Sequence, residues 1–102
     1  MGNKDKIFAY GTLTDHKIQR QIFGRIITGS PDTLRGYKRS KIKIDGEIYP
    51  LICLDTKRRV RGFVIKVTKS ELAKIDEYET DIYKRKQVIL KSGISAWVYL
   101  RR

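Results

Sequence analysis

A chain of 102 residues with 23 Lys and Arg against 11 Asp and Glu carries a formal charge of +12 at pH 7. Apolar residues make up 40% and aromatic residues 10%, which supports a packed core and argues against a disordered chain. A single cysteine excludes an intramolecular disulfide, and one Cys with one His excludes a zinc site of the usual ligand type, so no metal or other cofactor is expected.

The opening Met1-Gly2-Asn3-Lys4-Asp5-Lys6 lacks the apolar stretch of a signal peptide. Lys6 stands where the myristoylation pattern needs Ser or Thr. No apolar run approaches the ~20 residues that span a bilayer. The expectation is a cytoplasmic chain forming one domain, 1–102, without a membrane partner and with its oligomeric state open.

Lys6–Tyr10 reads as a short buried strand closed by Gly11. Thr14 is a plausible N-cap for a helix through about Phe23, with Ile18 and Ile22 on its inner face and Gly24 as the stop. His16 falls on that helix beside Lys17 and Arg20, a surface setting. Ile26-Ile27 can begin an extended piece before Gly29-Ser30-Pro31-Asp32 turns the chain. Strands follow at about Thr33–Ile44 and Ile48–Leu54, around a turn at Asp45-Gly46, and Pro50 implies an edge, a bulge or a bend. Cys53, in Leu51-Ile52-Cys53-Leu54, reads as a small core residue rather than a nucleophile.

Val60–Val67 alternates as a strand does and feeds a helix that opens with a capping box, Thr68 and Glu71 three residues apart. At 3.6 residues per turn Leu72, Ile75 and Glu79 share one stripe, while Asp76 and Glu77 point elsewhere. That stripe carries one carboxylate inward, at a helix C-terminus where the macrodipole opposes negative charge. Desolvation and dipole would both raise the pKa of Glu79, which suits a proton-transfer group working near neutrality. The alternative is a helix that ends earlier and leaves Glu79 a solvated loop acid. A hairpin at about Tyr83–Lys91 and Ile94–Leu100, turning at Ser92-Gly93, completes the chain. About six strands with two helices indicate an α+β protein with a closed or nearly closed sheet.

The charge is concentrated in Arg35–Lys43, Lys57–Arg61, Lys84–Lys86 and Arg101-Arg102, which makes nucleic acid a legitimate partner. Alternation of these residues with apolar ones, as in Lys41-Ile42-Lys43-Ile44, is equally what the wet face of a strand looks like. No ribonucleoprotein aromatic motif or zinc finger accompanies them.

Several motifs occur together. Phe8-Ala9-Tyr10-Gly11-Thr12-Leu13, Leu34-Arg35-Gly36-Tyr37, Tyr49-Pro50, Val60-Arg61-Gly62-Phe63-Val64, Asp76-Glu77-Tyr78-Glu79 with Tyr83 and Arg85, and Ala96-Trp97-Val98-Tyr99 appear in this order over nearly the whole chain. The set resembles the γ-glutamylcyclotransferase-like superfamily, which includes the γ-glutamylamine cyclotransferases and AIG2-like proteins. Thr12 replaces the commoner serine of the family's Tyr-Gly-Ser-Leu loop, and Thr80 stands where the family often has glycine.

The resemblance implies a small, mostly antiparallel mixed β-barrel flanked by helices, with a cavity where the Tyr10–Leu13 loop meets Glu79. It also implies the reaction: the α-amine of a small γ-glutamyl substrate attacks its own γ-carbonyl, closing 5-oxoproline and expelling an amine or amino acid. The nucleophile is tethered in the substrate, so the protein needs no Ser, Cys or metal. On this reading Glu79 is the base and then the acid, and Tyr10, Gly11, Thr12 and Leu13 bind substrate through a strand-to-helix turn. An ordinary turn is the plain alternative for that loop. Tyr83 lines the cavity, bonds the carboxylate or merely packs, and Arg85 with Asp76 forms a structural pair. The competing functions are a non-catalytic ligand- or protein-binding member of the fold and a basic nucleic-acid-binding module.

Overall fold

The structure, a computed structural model, describes residues 4–101. The first three residues of the segment read for targeting signals, and Arg102 of the last basic group, lie outside the described residues. In chain order the elements are β1 (Asp5–Ala9), a 3-10 turn (Thr12–Thr14), α1 (His16–Phe23), β2 (Ser30–Ile44), β3 (Glu47–Val67), α2 (Lys69–Glu79), β4 (Tyr83–Ile89) and β5 (Ser95–Arg101). The sheet order is β2-β3-β1-β5-β4, with β1 and β5 parallel and every other pair antiparallel. It curls into half a barrel, the mixed architecture expected, with five strands rather than about six.

The count drops because the segments expected at Ile48–Leu54 and Val60–Val67 are one strand of 21 residues. Asp55–Arg58, a charged stretch with no Gly or Pro to end the strand, stays extended without a ladder partner, and pairing resumes with Arg59 opposite Arg35. The extra residues of the bulge lie on this strand, four of them opposite the single Gly36 between the Arg35 and Tyr37 pairs, and Gly36 itself has φ +85°. Pro50 pairs with Lys41 on one side only, because β1 meets β3 further along, at Phe63–Val67. Its missing N–H therefore breaks no second ladder. The Asp45-Gly46 turn forms as expected, both residues at positive φ (49° and 83°) as a tight two-residue hairpin turn requires.

β1 is buried on both faces. Ile7 and Ala9 join Ile65, Val67, Leu72, Ile75 and Tyr99 beneath the helices, while Phe8 and Tyr10 join Leu34, Val60, Val64 and Val98 inside the curl. Cys53 does not enter the core as expected. Strand alternation turns Ile52 inward at 3% exposure and leaves Cys53 half-buried on the other side.

α1 begins one residue later than expected. Asp15, not Thr14, caps it, accepting a 2.8 Å bond from the Lys17 N–H. Thr14 belongs to the preceding 3-10 turn, where both its N–H and its hydroxyl donate to the Gly11 carbonyl. Gly24 ends the helix at φ +72°. Ile18 and Ile22 are only half-buried, and the enclosed residue of α1 is Gln19. Its amide donates to the Leu13 carbonyl and its oxygen accepts the Ile27 N–H, each at 2.8 Å. That bond satisfies Ile27 without a sheet, so Ile26-Ile27 forms no strand.

Candidate active site

α2 forms where the capping box places it. The Glu71 N–H donates to the Thr68 hydroxyl at 3.1 Å and the Thr68 N–H donates to the Glu71 carboxylate at 2.9 Å. The helix runs through Glu79, so the solvated-loop alternative does not hold. Leu72, Ile75 and Glu79 are buried at 7%, 0% and 9% exposure, Asp76 is half-buried and Glu77 is exposed. Helical periodicity alone thus carries a carboxylate inward.

Glu79 faces a small pocket lined also by Phe8, Tyr10, Gly11, Thr12, Leu13, Pro50, Tyr83 and Tyr99. All six residues singled out from the sequence therefore meet at one place. Burial pushes the Glu79 carboxyl up to about 7. Among the described residues the carboxylate accepts no hydrogen bond from the protein, so nothing offsets the desolvation. A group held in this condition exchanges a proton near neutral pH and has lone pairs free for a ligand.

The tyrosines around it are fixed by other bonds. The Tyr83 hydroxyl donates to the Pro50 carbonyl at 2.6 Å, not to Glu79, and burial with the nearby Glu79 raises its pKa to about 12. The Tyr10 hydroxyl donates to the Tyr99 carbonyl at 2.6 Å, and burial also raises its pKa. The Tyr99 hydroxyl in turn donates to Asp76 at 2.6 Å. Arg85 reaches the same carboxylate through Nε at 2.9 and 3.1 Å and lies 4.4 Å from the Trp97 ring centre. Burial works against the charge on Asp76, but the Arg85 and Tyr99 bonds outweigh it and hold the carboxyl below its ordinary value. The expected Arg85–Asp76 pair is present and sits one helical turn before Glu79, outside the cavity.

The Tyr10–Leu13 loop is held from two directions. Gln19 holds the Leu13 carbonyl from α1. Arg39, on β2, donates from one guanidinium nitrogen to the Tyr10 carbonyl and from the other to the Arg61 carbonyl at 2.7 Å. Neither residue was visible as a site candidate in the sequence, since each acts on a main-chain oxygen distant along the chain. Phe8, Pro50 and Tyr99 were likewise missed as lining residues, although each stands within or beside a motif read above. At Gly11 an added Cβ would lie 3.1 Å from the Pro50 ring, so glycine keeps this wall open.

No helix of the structure is long and apolar enough to cross a membrane. Among the described residues no group of three His, Cys, Asp or Glu is arranged to hold a metal ion.

The chain matches the model of the family described as gamma-glutamyl cyclotransferase, AIG2-like, over residues 7–102. AIG2-like protein C of Arabidopsis thaliana is 34% identical over 83 residues, covering 80% of this chain and 47% of that protein. The chain spans about half the length of the curated relatives it matches. A solution structure of an Arabidopsis thaliana protein superposes with a TM-score of 0.83 at 27% identity, covering 99% of this chain and 64% of the other. A solved structure of a gamma-glutamyl cyclotransferase gives a TM-score of 0.82 at 19% identity, covering 98% of this chain and 68% of that one, a likeness of fold.

Proposed function

Because the chain belongs to the gamma-glutamyl cyclotransferase, AIG2-like family, we propose that it converts a small γ-glutamyl amide into 5-oxoproline and a free amine or amino acid. The observation that carries this reading is Glu79, a buried carboxylate without a hydrogen bond among the described residues, facing the Tyr10–Leu13 loop across a small pocket.

The reaction needs a base, an anion site and a shape that folds the substrate on itself. Ionised Glu79 takes a proton from the substrate α-ammonium, and the freed amine forms a C–N bond to the γ-carbonyl carbon. As the tetrahedral oxyanion collapses, the bond to the leaving nitrogen breaks, Glu79 returns that proton there, and the ring nitrogen gives up its second proton to the departing amine, which leaves as an ammonium with Glu79 ionised again. Tethering within one molecule supplies the proximity a second reactant would otherwise have to provide. The Thr12–Thr14 turn begins with N–H groups that have no partner inside the turn, and these with the Thr12 hydroxyl suit the α-carboxylate or the oxyanion. Tyr10, Gly11, Leu13 and Tyr83 shape the walls, and the Tyr10 and Tyr83 hydroxyls, already committed to carbonyls, stay neutral.

The test is 5-oxoproline release from γ-glutamyl-lysine, γ-glutamyl-alanine and glutathione by the parent chain and by Glu79→Gln. Product from the parent with a loss of at least ~100-fold in the variant is expected for removal of a general base. Product formed by the variant at the parent's rate would remove Glu79 from the mechanism. No product from any compound would count against the reaction itself.

A further inference from the structure

The geometry points to a second, independent surface: a cationic face on the β2–β3 hairpin, built from Arg35, Lys57, Arg58, Arg59 and Arg61, that docks the phosphate backbone of duplex nucleic acid. Arg35 and Arg59 are directly opposed across the antiparallel ladder, and Arg61, opposite Thr33, lies on the same face two residues on. Directly opposed like charges destabilise a strand pair unless something else compensates them. Arg35, Lys57, Arg58 and Arg59 with Thr56 line one shallow depression, and all five are exposed. None of these basic side chains forms an ion pair with a carboxylate among the described residues. The acid nearest in sequence, Asp55, is turned to the Lys57 backbone N–H at 3.1 Å.

Alternation places Arg59 and Arg61 on the face that carries Ile65 and Val67, but beyond the stretch the helices cover. The charge is thus raised on an uncovered part of the sheet, clear of the Glu79 cavity, which none of these residues lines. Guanidinium groups match phosphate oxygens in pairs, which favours phosphate over a scattered carboxylate surface. No aromatic side chain lines the depression; Tyr37 nearby is packed inside the curl, and Phe63, 44% exposed beyond Arg61, is a lone ring rather than a row of them. Without a stacking platform a single strand gains little, whereas a duplex offers its phosphates already ordered, so the occupant is duplex backbone bound without regard to sequence.

The experiment is fluorescence anisotropy of a labelled 20-base-pair duplex over a salt series. Four proteins are compared: the parent, Arg35→Gln/Arg58→Gln/Arg59→Gln, its charge-keeping counterpart Arg35→Lys/Arg58→Lys/Arg59→Lys, and a control with the net charge of the Gln variant, Lys17→Gln/Arg20→Gln/Lys74→Gln, whose exposed changes lie on α1 and α2. The hairpin variant should lose at least ~10-fold in affinity. Its slope of log affinity against log salt should fall by about 2–3, as three lost phosphate contacts require. The control should bind as the parent does, and Arg35→Lys/Arg58→Lys/Arg59→Lys should keep most of the affinity. Equal losses in hairpin variant and control would reduce the effect to net charge and overturn the site. So would a parent that fails to bind duplex at 150 mM salt, or one that prefers vesicles of anionic lipid. Thermal melts of all variants accompany the titrations; relief of the Arg35–Arg59 repulsion should leave the hairpin variant at least as stable as the parent. Cyclotransferase activity has no part in any readout, so this proposal stands or falls apart from the previous one.

Discussion

Glu79 and Thr80 are adjacent residues that both oppose folding. The carboxyl of Glu79 has an ordinary value of 4.5 and sits at about 7 in the folded chain because burial penalises its charge. Between those values the folded chain holds a proton that the unfolded chain has released. Stability is therefore undiminished below about pH 4.5 and falls as pH rises through about 7. Glu79→Gln removes this penalty, and urea unfolding at pH 8 should show the variant more stable by about 2–3 kcal/mol, with little difference at pH 5. In the parent, turnover should rise with pH through about 7 as Glu79 ionises, so the proton that stabilises the fold is the one that silences the base. Thr80 closes α2 at φ 59° and ψ −154°, a region that only glycine occupies without strain. Thr80→Gly should raise stability at pH 7 by about 1 kcal/mol or more, measured as a shift in the denaturation midpoint. The residue that departs from the family pattern here keeps the backbone shape that glycine would take, at the cost of that strain.

At the scale of an element, α2 shows which signals act locally and which do not. Its capping box joins Thr68 and Glu71 three residues apart, and the stripe Leu72-Ile75-Glu79 repeats every turn, so both could be read from the chain. The same Glu71 carboxylate also receives Nε and a terminal nitrogen of Arg25, each at 2.9 Å, from 46 residues away, and no pattern in the sequence announces that pair. Arg25 with the cap pulls the Glu71 carboxyl down to about 2. Its stabilisation is present above the ordinary carboxylate range and is lost as pH falls toward 2. Glu71→Ala removes the cap and the ion pair together and should cost about 1–2 kcal/mol at pH 7 by chemical denaturation, a difference that narrows on acidification. α1 teaches the converse. Thr14 and Asp15 are both good caps in isolation, and only the 3-10 turn that engages Thr14 decides between them.

Across the whole molecule, β1 is the keel, antiparallel to β3 on one side and parallel to β5 on the other. Gly62 is the point of closest approach in that arrangement. A Cβ placed there would run into the Ala9 carbonyl and come within 2.8 Å of the Phe8 ring, both on the central strand. Neither can move without opening the core, so Gly62→Ala should destabilise by at least ~2–3 kcal/mol in thermal or urea unfolding. It should also reduce activity, because Ala9 leads directly into the Tyr10–Leu13 loop. The glycine read as part of a strand motif is there for steric reasons.

Composition, period and turn chemistry by themselves determined the α+β class, the two helices, the Asp45-Gly46 and Ser92-Gly93 turns and the stripe that aligns Glu79 with Leu72 and Ile75. Each of these rests on interactions within a few residues of chain. Tertiary structure alone decided the rest: that Asp55–Arg59 bridges two expected strands into one, that Gln19 and Arg39 clamp the loop, that Tyr83 bonds Pro50 and not Glu79, and that the Glu79 carboxylate is buried without a partner among the described residues. Those outcomes depend on which groups meet after the sheet has curled. A residue's own neighbours in the chain cannot set its desolvation or its distant hydrogen-bond partners; only the packed molecule can.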